Sequence, residues 1–144
     1  MNTVALPSRV LELESVMREM PQEPLRTQHY FADSMYAREL FQPAGVVVVG
    51  KVHKKEHFLI ITKGRLRIVM DDVMREHVAP AVIVSKVGTK RALYAMEDSA
   101  YLTVHRSKKR NLDKLEAELV EEDKLALFDS GNNIKPLRLE GAGK

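Results

Sequence analysis

The chain has 144 residues, a formal net charge of +3 and no cysteine. That length suits one domain with one core, and 44% hydrophobic against 30% charged residues excludes general disorder and fibrous classes. With no cysteine, disulfide frameworks and thiolate chemistry are excluded as well.

The opening MNTVALPSRVLELESV carries charge too early and too often for a signal-peptide core. No apolar run reaches the ~18 residues of a membrane span. A soluble, unexported protein is therefore expected. Ser8 precedes an apolar pattern at Val10, Leu11, Leu13, Val16, Met17 and Met20, and Pro21 ends it, so the spacing predicts a capped amphipathic helix over 9–20. Such a short helix is marginal alone and needs the rest of the domain or a second subunit to cover its stripe. Residues 21–28, with two prolines and no periodicity, read as an extended connector.

From Tyr36 the texture changes to short β-branched and aromatic runs. YARELFQ (36–42) alternates in part, Pro43-Ala44-Gly45 turns, and VVVVGKV (46–52) follows. HFLIIT (57–62) and RLRIVM (65–70) flank Lys63-Gly64. The second of these alternates strictly, with Leu66, Ile68 and Met70 on one face. Asp71-Asp72 closes a hairpin into VMREHV (73–78), and AVIVS (81–85), RALYA (91–95) and AYLTVH (100–105) complete the series. Seven or eight such strands must close or stack to cover their edges and apolar faces, which predicts an antiparallel sandwich or barrel.

Asn111 caps a second helix over LDKLEAELVEE, with a stripe at Leu112, Leu115, Leu119 and Val120. The rest, from about Asp129, has little core-forming power and is expected to dock on a partner rather than on the barrel. The organisation expected is thus a helix and connector over 1–28, a β-barrel over 29–106, and a helix with an extended tail over 107–144.

Charge is segregated along the chain. Residues 51–75 hold seven Lys/Arg against three acids and residues 86–110 seven against two, whereas residues 111–123 hold six acids against one Lys. The simplest reading is that the acidic helix lies along its own basic barrel or projects into solvent; the alternative is that opposite faces of neighbouring copies meet, or that the barrel meets a polyanion. No zinc knuckle, helix-turn-helix signature or aromatic platform is present, so nucleic acid is not indicated.

Two spaced motifs carry a resemblance. Gly45, Lys51, His53, His57 and Gly64 have the spacing of the first motif of the cupin family, and Pro80, Lys86, Gly88, Arg91 and Ala95 fall along the second. The chain therefore resembles a cupin, which implies a mostly β fold: a single double-stranded β-helix (jelly-roll) barrel, here flanked by a short helix on each side. In metal-binding cupins three His and one Glu converge on a transition metal. Here the resemblance puts Lys51 at the first ligand position, His53 at the second, His57 at the Glu position with Glu56 one residue earlier, and Arg91 at the last His. Glu56 and His57 cannot both face inward on one strand.

Two cations at ligand positions repel a divalent ion, so no cofactor is expected. Should a divalent transition metal bind, its ligands would be His53 and His57, with His105 from a nearby strand end. Otherwise Lys51, Glu56 and Arg91 form an internal ion-pair network, or Lys51 and Arg91 are the charges of a small anion pocket with His53 as a tunable donor.

The stretches YARELF, PAG, GKVHKKEHFLIITKGRLRI and VSKVGTKRALYAMEDSAYLTVH, with the flanking helices, are similar to small cupin-like proteins of tailed bacteriophages over about residues 9–121. That resemblance implies a viral protein located in the host cytoplasm during infection or in the virion. It favours a non-enzymatic accessory component of a virion or other assembly, with a homo-oligomer or phage structural proteins as partners. The alternative is a cupin-type enzyme, or a small-anion or metal-binding protein with a degenerate His site. No Gly-x-Ser-x-Gly elbow, phosphate loop or His-Glu-x-x-His helix offers another catalytic centre.

Overall fold

Strict alternation of apolar and polar side chains gives each strand one face that must leave water, and antiparallel pairing then joins those faces into two sheets. The computed structural model describes residues 9–20, 22 and 24–121. Nine strands run in chain order: β1 (Thr27–Ala32), β2 (Met35–Gln42), β3 (Val47–Val49), β4 (His57–Lys63), β5 (Arg65–Met70), β6 (Val73–Val78), β7 (Ala81–Ser85), β8 (Ala92–Ala95) and β9 (Ser99–Arg106). Helices α1 (Arg9–Met17) and α2 (Leu112–Leu119) flank them. One sheet has the order β1-β2-β9-β4-β7 and the other β3-β8-β5-β6. Apart from the β5–β6 hairpin, consecutive strands from β2 to β9 thus alternate between the two sheets in the jelly-roll order, and β1 extends one edge.

The inward rows of the two sheets make the core. Leu40, Leu59, Ile61 and Tyr101 from the first sheet meet Leu66, Ile68, Leu93 and Ala95 from the second, all nearly or fully buried. At one end of this core Gln42 ties the sheets together. Its side-chain amide donates to the carbonyls of Val46 (2.7 Å) and Leu93 (2.9 Å), and its oxygen accepts from the Tyr101 hydroxyl (2.8 Å). Asp71 and Asp72 both take positive φ, 51° and 59°, as a two-residue hairpin turn demands. Gly64 has φ +88°, and a Cβ there would collide with Ser99 and the Asp98 carbonyl.

Helix α2 starts where Asn111 accepts from the backbone N–H groups of Asp113 (3.0 Å) and Lys114 (3.1 Å). It lies on its own barrel, the simplest of the readings that the charge segregation allowed. Leu115 and Leu119 bury against Tyr36 of β2. Lys51 meets Glu116 at 2.5 Å, Lys55 meets Glu118 at 3.3 Å, and the Lys54 backbone N–H donates to the Leu119 carbonyl at 2.7 Å. Partly exposed ion pairs contribute under about 1 kcal/mol each, whereas each buried leucine contributes about 1.5–3 kcal/mol. Packing therefore holds the helix, and the charges select its position.

Several boundaries differ from the sequence expectation: β2 and β4 each run one residue further, α2 ends at Leu119 rather than 122, and the larger differences are these. Strand β1 occupies the last two residues of the expected connector and the first four of the expected barrel, where no strand was expected before Tyr36, so strand structure begins at Thr27; TQHYFA alternates in burial but is too short to stand out. Strand β3 covers 47–49 rather than 46–52 because the chain leaves the sheet at Gly50. Strand β8 starts at Ala92, one residue late, and β9 runs one residue further at each end. Helix α1 ends at Met17, and of its stripe only Val10 is buried; Leu11, Val16 and Met20 stay exposed. Ser8, expected to cap that helix, and the tail from Asp129 lie outside the described residues.

Leu115→Ala removes a side chain only 2% exposed. It should cost about 2–5 kcal/mol in urea unfolding, as large-to-small core changes do; a cost under about 1 kcal/mol would show that α2 is not part of the folded unit.

Candidate functional site

The inward row of the first sheet beyond the leucines is polar. Register places Tyr36 opposite His105 and His57 opposite Ser85, at the barrel end that α2 adjoins. His53, in the segment between β3 and β4, is bridged to Val120 just after α2. Its ring stacks on His57 (centroids 4.1 Å apart), and His57 stacks on His105 (4.2 Å). One ring nitrogen from each of His53, His57 and His105 lies within 4.8 Å of the other two.

Hydrogen bonds fix this group. His57 Nδ1 lies 3.0 Å from the Lys55 carbonyl, which only an N–H can satisfy, so Nε2 keeps its lone pair. That lone pair faces Arg91, whose Nη1 donates to it at 3.1 Å and to Ser85 Oγ at 2.5 Å. His53 Nδ1 and His105 Nε2 share one hydrogen bond of 3.0 Å. The remaining nitrogen of His105, Nδ1, is buried with no partner, and either tautomer of His105 leaves it unsatisfied.

All three imidazoles are held neutral. Burial is the main cause for His53, pushed down to about 2, and for His105, pushed down to about 3; the neighbouring His57 and Arg91 charges add to it. His57 is also lowered, chiefly by burial, against the raising effect of its bond to Lys55. Burial likewise lowers Arg91 to about 10, which leaves it charged at neutral pH.

Of the sequence candidates, His53, His57, His105 and Arg91 converge. Lys51 does not: its ammonium pairs with Glu116 of α2 instead of facing Arg91 inside the barrel. Glu56 is exposed and contributes nothing to an internal ion-pair network. His57 is only 4% exposed, so strand alternation turns it inward and Glu56 outward. Arg38, Tyr36 and Ser85 were not among the candidates. Arg38 alternates with buried Tyr36 and Leu40 along β2, and that spacing was the available signal.

Solved structures of known proteins share the fold. A cupin superfamily protein from Desulfitobacterium hafniense is 15% identical with a TM-score of 0.52, covering 75% of this chain and 94% of its own. An RmlC-like cupin from Shewanella frigidimarina is 12% identical with a TM-score of 0.52, covering 60% and 79%. The cupin domain of Schizosaccharomyces pombe Cnp3 is 18% identical with a TM-score of 0.51, covering 67% and 71%. This chain has the cupin fold. No protein-family model and no curated protein matches it, and the structural similarities carry no indication of a phage origin. In this barrel Arg91 lies against His57, and His105 of β9 joins His53 and His57 in one cluster. Among the described residues, no helix is long and apolar enough to cross a membrane.

The buried imidazoles give the metal-free protein a defined pH response. Unfolded, His53 and His105 take up protons near 6.5; folded, they refuse them down to about 2 and 3. The unfolded state therefore binds more protons between those limits. Stability should be full above pH 6.5 and fall as pH drops below it, by up to about 1.4 kcal/mol per pH unit for each such histidine. Urea unfolding at pH 7.5, 6 and 5 reads this slope, and His105→Gln should reduce it. A flat profile would mean that these rings are open to solvent.

Proposed function

We propose that this protein binds a divalent transition metal through His53, His57 and His105. The observation that carries this reading is the convergence of three neutral imidazoles, His57 and His105 buried and His53 half-buried, one of which keeps a nitrogen without a partner. The donor set fits such an ion. Imidazole suits zinc, copper, nickel and iron, and the Lys55 carbonyl already fixes the His57 tautomer that presents Nε2, as outer partners of metal-binding histidines do. Against it stands Arg91, which occupies that lone pair and must leave it. A metal held by these three histidines would supply Lewis-acid chemistry. The three His sites replace Lys51 and the expectation of no cofactor as the basis of the reading.

The test is metal content after loading with zinc or nickel and exhaustive desalting. About one equivalent is expected for the natural protein and for Lys51→Ala, and under about a tenth after His53→Ala, His57→Ala or His105→Ala. Less than a tenth of an equivalent in the natural protein would overturn the reading.

A second reading, a unit in an assembly, is favoured by one surface. On the outer face of β7, β4 and β9, Val84, Phe58 and Val104 form one row and Val82, Ile60 and Leu102 the next. Phe58, Val82 and Val84 are 48%, 65% and 54% exposed. None of the six is charged, so the face is complementary to itself and suits a second copy of this chain. The resemblance read from the sequence to phage cupin-like proteins would place such an assembly in a virion. Light scattering at tens of micromolar, on the order of weak-interface affinities, should find a dimer that Val82→Lys together with Val84→Lys dissociates. A monomeric natural protein would remove this reading.

A further inference from the structure

Among the described residues, positive charge inside this barrel has no counter-ion. Arg91 precedes β8 and alternates with buried Leu93 and Ala95, and it is itself only 5% exposed. Its two acceptors, Ser85 Oγ and His57 Nε2, are both neutral. Arg38 projects from the inward face of β2, and its Nε is buried without a hydrogen-bond partner. Arg38 shares the inward face of β2 with Tyr36 and Leu40, and Arg91 shares an inward row with Leu93 and Ala95, so both side chains start from inward positions.

None of the inward positions of β2, β4, β5, β7, β8 or β9 is Asp or Glu. The glutamates that do form ion pairs, Glu14, Glu76, Glu116 and Glu118, pair with Arg18, Lys90, Arg65, Arg67, Lys51 and Lys55. Among the described residues nothing anionic therefore reaches either guanidinium. A buried charge without its partner is strongly destabilising, and a group kept at such a cost belongs to function more often than to folding.

The geometry points to an oxyanion, a carboxylate or phosphate group, bound inside the barrel by Arg91 and Arg38. A guanidinium offers a planar fork of donors that matches two oxygens of either group. Arg91 spends two bonds on neutral acceptors, and Ser85 holds its side chain in place; the rest of its donors are available to an anion. Tyr101 and the neutral imidazoles add polar groups without adding negative charge. This site does not rest on the metal reading, since guanidinium and oxyanion need no metal between them.

The experiment uses the full chain, stripped with a chelator and freed of it by gel filtration, in a buffer without oxyanions. Inorganic phosphate and malonate are titrated separately by calorimetry, and the two titrations distinguish a phosphate from a carboxylate ligand. One of them should bind at one equivalent, and Arg91→Met and Arg38→Met should each weaken it at least about tenfold. Thermal melting separates binding from structure. Without its unpaired charge, Arg91→Met should melt no lower than the natural protein in ligand-free buffer, and it should lose the rise in Tm that the anion gives.

Absence of saturable binding by both probes would overturn the inference, as would unchanged affinity in both variants. A ligand-free Tm more than about 5 °C lower in Arg91→Met would also overturn it, since Arg91 would then be structural. Phosphate bound only after zinc loading and insensitive to Arg38→Met would place the anion on the metal and overturn the guanidinium site. Metal content is measured on separate samples, so failure of the metal reading leaves this result intact.

Discussion

The pairing of β9 between β2 and β4 sets the rows on which the rest of the molecule depends. With Leu40 opposite Tyr101 and Ile61 also opposite Tyr101, the middle of the sheet is apolar and closes against Leu66, Ile68 and Leu93. The same register puts Tyr36 opposite His105 and brings His57 to the adjoining position. A slip of one residue would turn both histidines outward and the leucines with them. Core and site are thus one geometric solution, and neither can be altered in register without the other.

Helix α2 completes the polar end. Its leucines meet Tyr36 and its acids take up Lys51 and Lys55, from the segment that also carries His53. The basic charge of that segment is therefore spent outside the barrel. Inside, Arg91 and Arg38 retain theirs. The contrast is physical: α2 can present carboxylates to long side chains that remain partly hydrated, whereas the inward rows around the two arginines are otherwise apolar or neutral polar and have no acid to offer.

Stability and binding pull apart at this end of the barrel. Three imidazoles stacked at 4.1–5.1 Å, kept neutral by burial, and a guanidinium bonded only to neutral acceptors make a poor core. They make a suitable place for a charged ligand, because its interactions are stronger where water is excluded. The well-packed leucine rows and the Gln42–Tyr101 bonds at the other end provide the rigidity on which such a site relies.

Strands β5, β6 and β7 were legible residue for residue, because alternation and the Asp71-Asp72 turn are local signals. So were the cupin spacing of Gly45, His53, His57 and Gly64 and the candidacy of His105 beside the other two histidines; that Glu56 and His57 could not both face inward was legible too, but which of them does was decided by the folded sheet. The sequence by itself determined which side chains could share a face, since period two needs no partner strand. It could not determine that Lys51 leaves the ligand position. That outcome depends on where α2 docks, 65 residues further on, and on Glu116 reaching the ammonium first. Nor could it assign Arg38, whose inward position was readable but whose lack of an acid partner becomes visible only when both sheets are in place. Which charges are paired is a property of distances in space, and tertiary structure alone sets those distances.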